Sequence, residues 1–126
     1  MSKKQMISIV DDDEQAREST MDLVKSMGFY ATAFQCAEDF LKSSRLGDTS
    51  CLIADMRMPG MTGLDLHIRL VDLGNVIPTI LITAFPNDRD RTRALHAGVT
   101  CYLAKPFDAE ELSACVRSAI EPDRAR

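Results

Sequence analysis

The chain has 126 residues, 45% of them hydrophobic and 27% charged, with a formal net charge of −4, which is enough for one domain with a buried core. No apolar stretch approaches the ~20 residues of a membrane helix, and the basic start, Met-Ser-Lys-Lys-Gln, is not followed by the apolar segment and cleavage site of a signal peptide. Negative net charge without a Lys/Arg block argues against direct nucleic-acid binding, and a cytoplasmic location is expected.

Met6–Val10 is a nearly continuous apolar run bounded by charges, as in a strand buried on both faces. Ala16, Leu23, Val24 and Met27 follow at helical spacing, with Gly28 as the stop. Phe29–Phe34 alternates aromatic and small residues like a more exposed strand, and residues 37–44 can hold a short helix with Phe40 and Leu41 inward. Residues 50–54 predict a second buried strand. Thr62 with Asp65 resembles a capping box for a helix through Leu73, ending at Gly74.

Pro78 precedes a third buried strand, Thr79–Ile82. Pro86-Asn87-Asp88 opens a polar helix that stops at Gly98. Residues 100–104 form the last strand. Asp108 with Glu111 caps a final helix whose apolar face is Leu112, Cys115, Val116, Ala119 and Ile120. The cysteines, Cys36, Cys51, Cys101 and Cys115, lack C-x-x-C spacing and lie in or beside apolar runs, so they read as small buried hydrophobes kept reduced.

Five strands alternating with five helices imply an α/β fold with a parallel sheet. Right-handed crossovers put the strands' C-terminal ends on one edge, where ligands of such sheets bind. Asp11, Asp12, Asp13, Asp55, Thr83 and Lys105 are therefore expected to converge, although they are far apart in sequence.

Each of these residues has a plain structural reading beside a chemical one. Crowded carboxylates need a proton or a cation, and Mg²⁺ suits oxygen ligands with a partly open shell. The triplet could instead cap a helix, but capping needs only one Asp, a role Asp13 or Glu14 can fill. Asp55 could start a turn or act as a nucleophile toward phosphorus. Thr83 could close a strand or donate to a phosphoryl oxygen. Lys105, at the inner end of a strand, needs a partner, and Lys105-Pro106 is a candidate cis peptide.

Together, Val-Asp-Asp-Asp-Glu at 10–14, Ala-Asp-Met-Arg-Met-Pro-Gly-Met-Thr-Gly at 54–63, Ile-Thr-Ala at 82–84 and Lys-Pro-Phe at 105–107 resemble the receiver domain of two-component response regulators. The wording looks most like the nitrogen-fixation regulator (FixJ-like) branch. The resemblance covers residues 5–121 and implies a flavodoxin-like (βα)5 fold, with a five-stranded parallel sheet in the order 2-1-3-4-5 and helices on both faces. It makes 1–121 the receiver and 122–126 a polar tail or the start of an interdomain linker. The chain then reads as a stand-alone receiver or a piece of a longer regulator.

Carried over by residue, the resemblance makes Asp55 the phosphoacceptor. Asp11 and Asp12 become the acidic pair for Mg²⁺, with Asp12 the direct ligand, and Arg57 offers its backbone carbonyl to the metal. Thr83 and Lys105 hold phosphoryl oxygens, and Tyr102 is the aromatic switch. The implied donor is the phosphohistidine of a sensor histidine kinase. The implied output is a change in the surface of the fourth helix, last strand and last helix (α4-β5-α5), controlling transcription through a DNA-binding domain absent from this chain.

Pairing of Asp88, Arg89, Asp90, Arg91 and Arg93 with Asp108, Glu110 and Glu111 across a homodimer is expected, although these charges could simply be solvated. Arg57 and Phe85 flank the site and are candidates for shielding it from water. His67 and His96 read as surface or packing residues. A phosphatase or phosphomutase would resemble a chain with a second Asp where Arg57 stands, so turnover of outside substrates is not expected. A flavodoxin-like cofactor binder would place a phosphate-cradling loop where the Asp triplet lies. A docking module that never receives phosphate is the remaining alternative.

Overall fold

The computed structural model describes residues 5–121, so Met1–Lys4 and the tail at 122–126 lie outside the described residues. Five strands, β1 (Met6–Val10), β2 (Tyr30–Phe34), β3 (Cys51–Asp55), β4 (Thr79–Thr83) and β5 (Cys101–Ala104), alternate with five α-helices. The helices are α1 (Glu14–Ser26), α2 (Ala37–Lys42), α3 (Gly63–Asp72), α4 (Asp88–His96) and α5 (Ala109–Ile120). Every paired neighbour is parallel, and the sheet order is β2-β1-β3-β4-β5. The order reverses at β1, so the ends of β1 and β3 lie side by side with Val10 opposite Ala54.

Alternation along each strand sends side chains to two cores. Val10, Leu52, Ala54 and Leu81 pack with Phe40, Leu64, Leu66, Leu70 and Ala94 on the face covered by α2, α3 and α4. Ile7, Ile9, Ile53, Ile80 and Ile82 pack with Val24, Leu112 and Val116 on the face covered by α1 and α5. Burying a side chain of this size stabilises by about 1.5–3 kcal/mol. A one-residue slip of a central strand would exchange its two sets of neighbours, so packing on both faces pins the register that aligns the strand ends. β2, at the edge, is partly exposed throughout, as its alternation suggested.

Capping fixes where the helices begin. Asp13 accepts from the Ala16 amide at 3.2 Å, Asn87 from the Asp90 amide at 2.8 Å, and both Thr62/Asp65 and Asp108/Glu111 form complete capping boxes. The expected boundaries shift by a residue or two. Strand pairing carries β3 through Asp55 and β4 through Thr83, while β2 begins at Tyr30 and β5 at Cys101. α2 stops at Lys42, and a 3-10 turn at Leu46–Asp48, unforeseen in the sequence, completes the link to β3.

Only Cys51 of the four cysteines is fully buried; Cys36, Cys101 and Cys115 are half-buried, and all are free thiols. His67 is a packing residue with polar duties. Its Nδ1 lies 2.8 Å from the Thr79 hydroxyl and its Nε2 2.9 Å from the Ala97 carbonyl, bridging α3 to β4 and to the end of α4. His96 is on the surface. No helix among the described residues is long and apolar enough to cross a membrane.

Candidate functional site

The ends of β1, β3 and β5 bring three carboxylates and an ammonium to one place. Asp11, following β1, is fully buried, and Asp55, the last residue of β3, is 7% exposed. Lys105, just past β5, donates to Asp55 Oδ2 at 2.8 Å and reaches Asp11 Oδ2 at 3.4 Å. Asp12, next to Asp11, is exposed, and ligand oxygens of Asp11, Asp12 and Asp55 lie within 4.8 Å of one another. Asp13 points away to cap α1.

Backbone contacts hold these groups in place. The Asp13 amide donates to Asp11 Oδ1 at 3.0 Å and the Arg57 amide to Asp55 Oδ1 at 2.9 Å. Arg17, from the first turns of α1, donates to the Asp11 carbonyl at 2.9 Å. The Met56 amide bonds the Ile82 carbonyl at 2.7 Å, and the Lys105 amide bonds the Thr83 carbonyl at 2.8 Å, extending the strand pairing to the site. The Lys105-Pro106 peptide is cis.

Gly63 supplies a contact of another kind. A Cβ there would lie 2.4 Å from the Asp55 carbonyl oxygen and 2.9 Å from Leu81 Cδ2, so the start of α3 can rest on the end of β3 only where no side chain intervenes.

The charges do not balance. Three carboxylates face one lysine, which leaves room for a divalent cation. Burial raises the Asp11 pKa, and the Asp55 charge adds to this, against the lowering pull of the Asp13 amide and Lys105. Burial alone would lower the Lys105 pKa; the hydrogen bond to Asp55 and the charges of Asp11 and Asp55 outweigh it, and the net shift is upward. The ammonium is therefore firmly protonated, a single positive charge beside three acidic groups. An all-oxygen donor set with one open, exposed member fits a hard cation.

Thr83 is fully buried at the end of β4. Its Oγ1 accepts from the Phe85 amide at 3.0 Å, so the hydroxyl proton is not used in that bond. Tyr102 is 7% exposed on the other side of the loop between β4 and α4. Its hydroxyl accepts from the Asn87 amide at 3.4 Å, and the Arg91 guanidinium lies 5.0 Å from its ring centroid. Thr83 and Tyr102 thus hold opposite ends of one short loop, and Tyr102 does not line the carboxylate cluster.

Arg57 turns its side chain outward. The guanidinium lies 3.8 Å from Asp90 of α4 and 5.7 Å from the Phe85 ring centroid. The Arg57 side chain is exposed and that of Asp90 partly so, which leaves the bridge largely screened by water. Arg57→Ala is expected to change stability by less than about 1 kcal/mol in urea unfolding; a loss of more than about 2 kcal/mol would show the bridge to be a structural clamp instead.

Asp11, Asp12, Asp55 and Lys105 are thus together as the sequence suggested, and Thr83 is on the adjoining strand end. Arg17, Asp90 and Gly63 were missed. Arg17 follows the Asp triplet by one helical turn, which is a weak signal. Asp90 has none in sequence, and Gly63 reads as ordinary turn chemistry until the backbone approach is seen.

Known proteins give the same picture. The model of the response regulator receiver domain matches residues 7–117. Nodulation protein W of Bradyrhizobium diazoefficiens is 38% identical over 99% of this chain and 55% of its own length. The transcriptional regulatory protein FixJ of the same organism is 32% identical over 95% of this chain and 58% of its own. The chain spans about half the length of these curated relatives. Among solved structures, the crystal structure of FixJ-N superposes with a TM-score of 0.85 at 32% identity, covering 95% of this chain and 96% of that one. Response regulator StyR superposes with a TM-score of 0.86 at 35% identity, covering 98% of this chain and 63% of that one. With the family model matched over nearly its whole described length, on a sheet that gathers the acidic cluster and the lysine at one edge, the chain belongs to the receiver domains of two-component response regulators.

Proposed function

We propose that Asp55 accepts a phosphoryl group from the phosphohistidine of a sensor histidine kinase, and that the phosphorylated domain signals through α4, β5 and α5. The observation that carries this reading is the Asp55–Lys105 contact at 2.8 Å inside a cluster of oxygen ligands. The carboxylate is held by the Arg57 amide on one oxygen and by Lys105 on the other.

An Asp55 oxygen attacks phosphorus in line with the departing imidazole nitrogen, and the bond between that nitrogen and phosphorus breaks as the new P–O bond forms. Such transfers pass through a loose transition state, so the protein contributes position and charge more than bonding. Lys105 moves from the carboxylate to an oxygen of the transferred group. Thr83 offers its unused hydroxyl proton to another. Asp11, Asp12, Asp55 and the backbone carbonyl of Arg57 would hold Mg²⁺, which when bound offsets the negative charge gathered as phosphate meets the carboxylates.

Turning Thr83 toward the phosphoryl group pulls on the Phe85 amide that it now accepts from. Asn87, two residues on, is tied to the Tyr102 hydroxyl. Because Tyr102 is already buried, phosphorylation acts on the partner of its hydroxyl and on the loop, more than on the ring's exposure. The displaced loop carries the start of α4, a packed element with two arrangements of the kind that converts a local charge into a surface change. A phosphorylation-dependent homodimer through α4-β5-α5 and control of transcription by a DNA-binding domain outside this chain complete the reading. The domain assists its own phosphorylation and dephosphorylation and turns over no outside substrate. Residues 1–121 form the receiver and 122–126 its tail or linker, and the protein acts in the cytoplasm.

The test is incubation with a small phosphodonor such as phosphoramidate, followed by intact mass. One added phosphoryl group per chain is expected with Mg²⁺ and none after chelation. No added mass under any condition would leave the phosphate-independent docking module as the better reading.

The metal assignment has its own check. Asp12→Ala is expected to weaken Mg²⁺ binding at least about tenfold, or about 1.4 kcal/mol, by titration calorimetry; the chain has no Trp to report it by fluorescence. Unchanged affinity would remove Asp12 from the ligand set.

A further inference from the structure

His67 is a buried imidazole that the phosphoryl chemistry does not use. It lies on α3, 5% exposed, and reaches two other elements. A carbonyl only accepts, so Nε2 carries a proton and donates to the Ala97 carbonyl at 2.9 Å. On the other side Nδ1 lies 2.8 Å from Thr79 Oγ1, which is itself tied to the Ile77 carbonyl at 2.9 Å. Ala97 caps the C-terminal end of α4, and its carbonyl is one that a helix leaves without an internal partner. The carbonyls just before it are closed locally, by the Val99 amide on Ala94 and the Gly98 amide on Leu95, both at 3.1 Å. The imidazole of a neighbouring helix thus completes this helix end.

The two ends of α4 are held unequally. Toward the C-terminal end, Ala94 and Val99 are buried in the core. At the other end Asp88 and Arg89 are exposed, and the contacts are long: 3.4 Å from the Asn87 amide to the Tyr102 hydroxyl and 3.8 Å from Arg57 to Asp90. A cavity of about 290 Å³, lined in part by Arg57, Thr62, Asp65, Asp90 and Arg93, lies between this stretch of α4 and the start of α3. α3 itself is seated firmly, with Gly63 resting against the Asp55 carbonyl.

We propose that His67 is a positioning residue that anchors the C-terminal end of α4 to α3 and β4, so that the helix pivots about that end instead of shifting whole. This role deepens, and rests on, the reading of α4 as a signalling element. Force from the loop between β4 and α4 opens the start of the helix, where contacts are weak and the cavity gives room. The far end stays tied to His67, and the largest displacement falls at residues 87–91. A packed element with one fixed end turns a small movement near Thr83 into a rotation of the exposed face of α4.

The test is amide hydrogen exchange by NMR on the whole chain, with two variants that divide the imidazole. The side-chain amide of His67→Gln takes the place of Nε2 and can donate to Ala97, whereas that of His67→Asn takes the place of Nδ1 and reaches only Thr79. Without phosphodonor, His67→Asn is expected to speed exchange at Gly98 and Val99 by about tenfold relative to the Ile53 amide in the central strand. His67→Gln is expected to bring both back to within about threefold of wild type. Equal acceleration at Ile53, or no rescue by Gln, would make His67 a core filler and overturn the anchor. Asn87→Ala, which loosens the start of α4, is expected to speed Arg91 and leave Gly98 and Val99 unchanged; equal acceleration at both ends would overturn the pivot even if the His67 variants fold poorly. With phosphoramidate and Mg²⁺, wild-type amide shifts are expected to change at 85–91 and to hold at 97–99, and comparable changes at both ends would again overturn the pivot. Absence of added phosphoryl mass would count against the phosphoacceptor reading alone, since the exchange data decide the anchor and the pivot without it.

Discussion

Asp55→Asn is expected to abolish phosphoryl uptake while leaving a folded domain. The amide carries no negative charge and its nitrogen lone pair is delocalised, so the variant has no nucleophile for phosphorus. The local geometry can survive, because Asn Oδ1 can still accept from the Arg57 amide, now 2.9 Å from Asp55 Oδ1. What is lost is the 2.8 Å contact with Lys105, which keeps Asp11 at 3.4 Å as its partner. Against that loss, one of three crowded carboxylates disappears, and repulsion on the fully buried Asp11 falls. The two effects oppose each other, and metal-free stability is expected to stay within about 2 kcal/mol of wild type. Intact mass after incubation with phosphodonor and Mg²⁺ reads the first outcome, and thermal unfolding in chelator reads the second. Labelling of the variant to the wild-type level would mean that the acceptor lies elsewhere.

Gly63→Ala is expected to damage both stability and the site through a single methyl group. The new Cβ would meet the Asp55 carbonyl oxygen at 2.4 Å and Leu81 Cδ2 at 2.9 Å. Leu81 could adjust, but a backbone oxygen has no rotamer to change. Either α3 moves away from β3, or the end of β3 gives way. The first strains the hydrogen bond from the Gly63 amide to the Met56 carbonyl, 3.3 Å long. The second moves Asp55 relative to Lys105 and Asp11. Overpacking of this kind costs about 1–3 kcal/mol, which for a domain of this size corresponds to a fall of roughly 4–15 °C in Tm. The phosphorylation rate is expected to fall with it, since a displaced carboxylate meets the phosphoryl group off line. A melting temperature within about 1 °C of wild type would show that the contact relaxes freely.

The two variants probe layers of the protein that were unequally legible in its sequence. Asp55 could be read because a carboxylate directly after Cys-Leu-Ile-Ala ends a buried strand, and strand ends in a parallel sheet share an edge. The same logic found Asp11, Asp12, Thr83 and Lys105, since each follows an apolar run whose period reveals the strand. Gly63 stood in plain view as half of a Thr-Gly step, but its role depends on where the neighbouring strand's carbonyl falls. Asp90 was visible only as part of a polar helix; its pairing with Arg57 needs the orientation of α4 over the loop after β3. The boundaries erred for a related reason. β3 and β4 each end one residue later because pairing with neighbours, rather than local apolarity, decides where a strand stops.

Hydrophobic period, helix caps and the order of chemistry-bearing residues were determined by the sequence alone. They depend on side-chain spacing along one stretch of chain. From them follow the alternation of strands and helices, the parallel sheet, the common edge, and the family wording of the motifs. Only the tertiary structure decided which groups touch. It showed that Lys105 lies nearer Asp55 than Asp11, and that Asp12 stays open while Asp11 is sealed. It showed as well that Thr83 and Tyr102 hold opposite ends of one loop, and that three cysteines from distant segments share a core. Contacts between segments are set by sheet register and helix packing over the whole domain, and no local pattern encodes them.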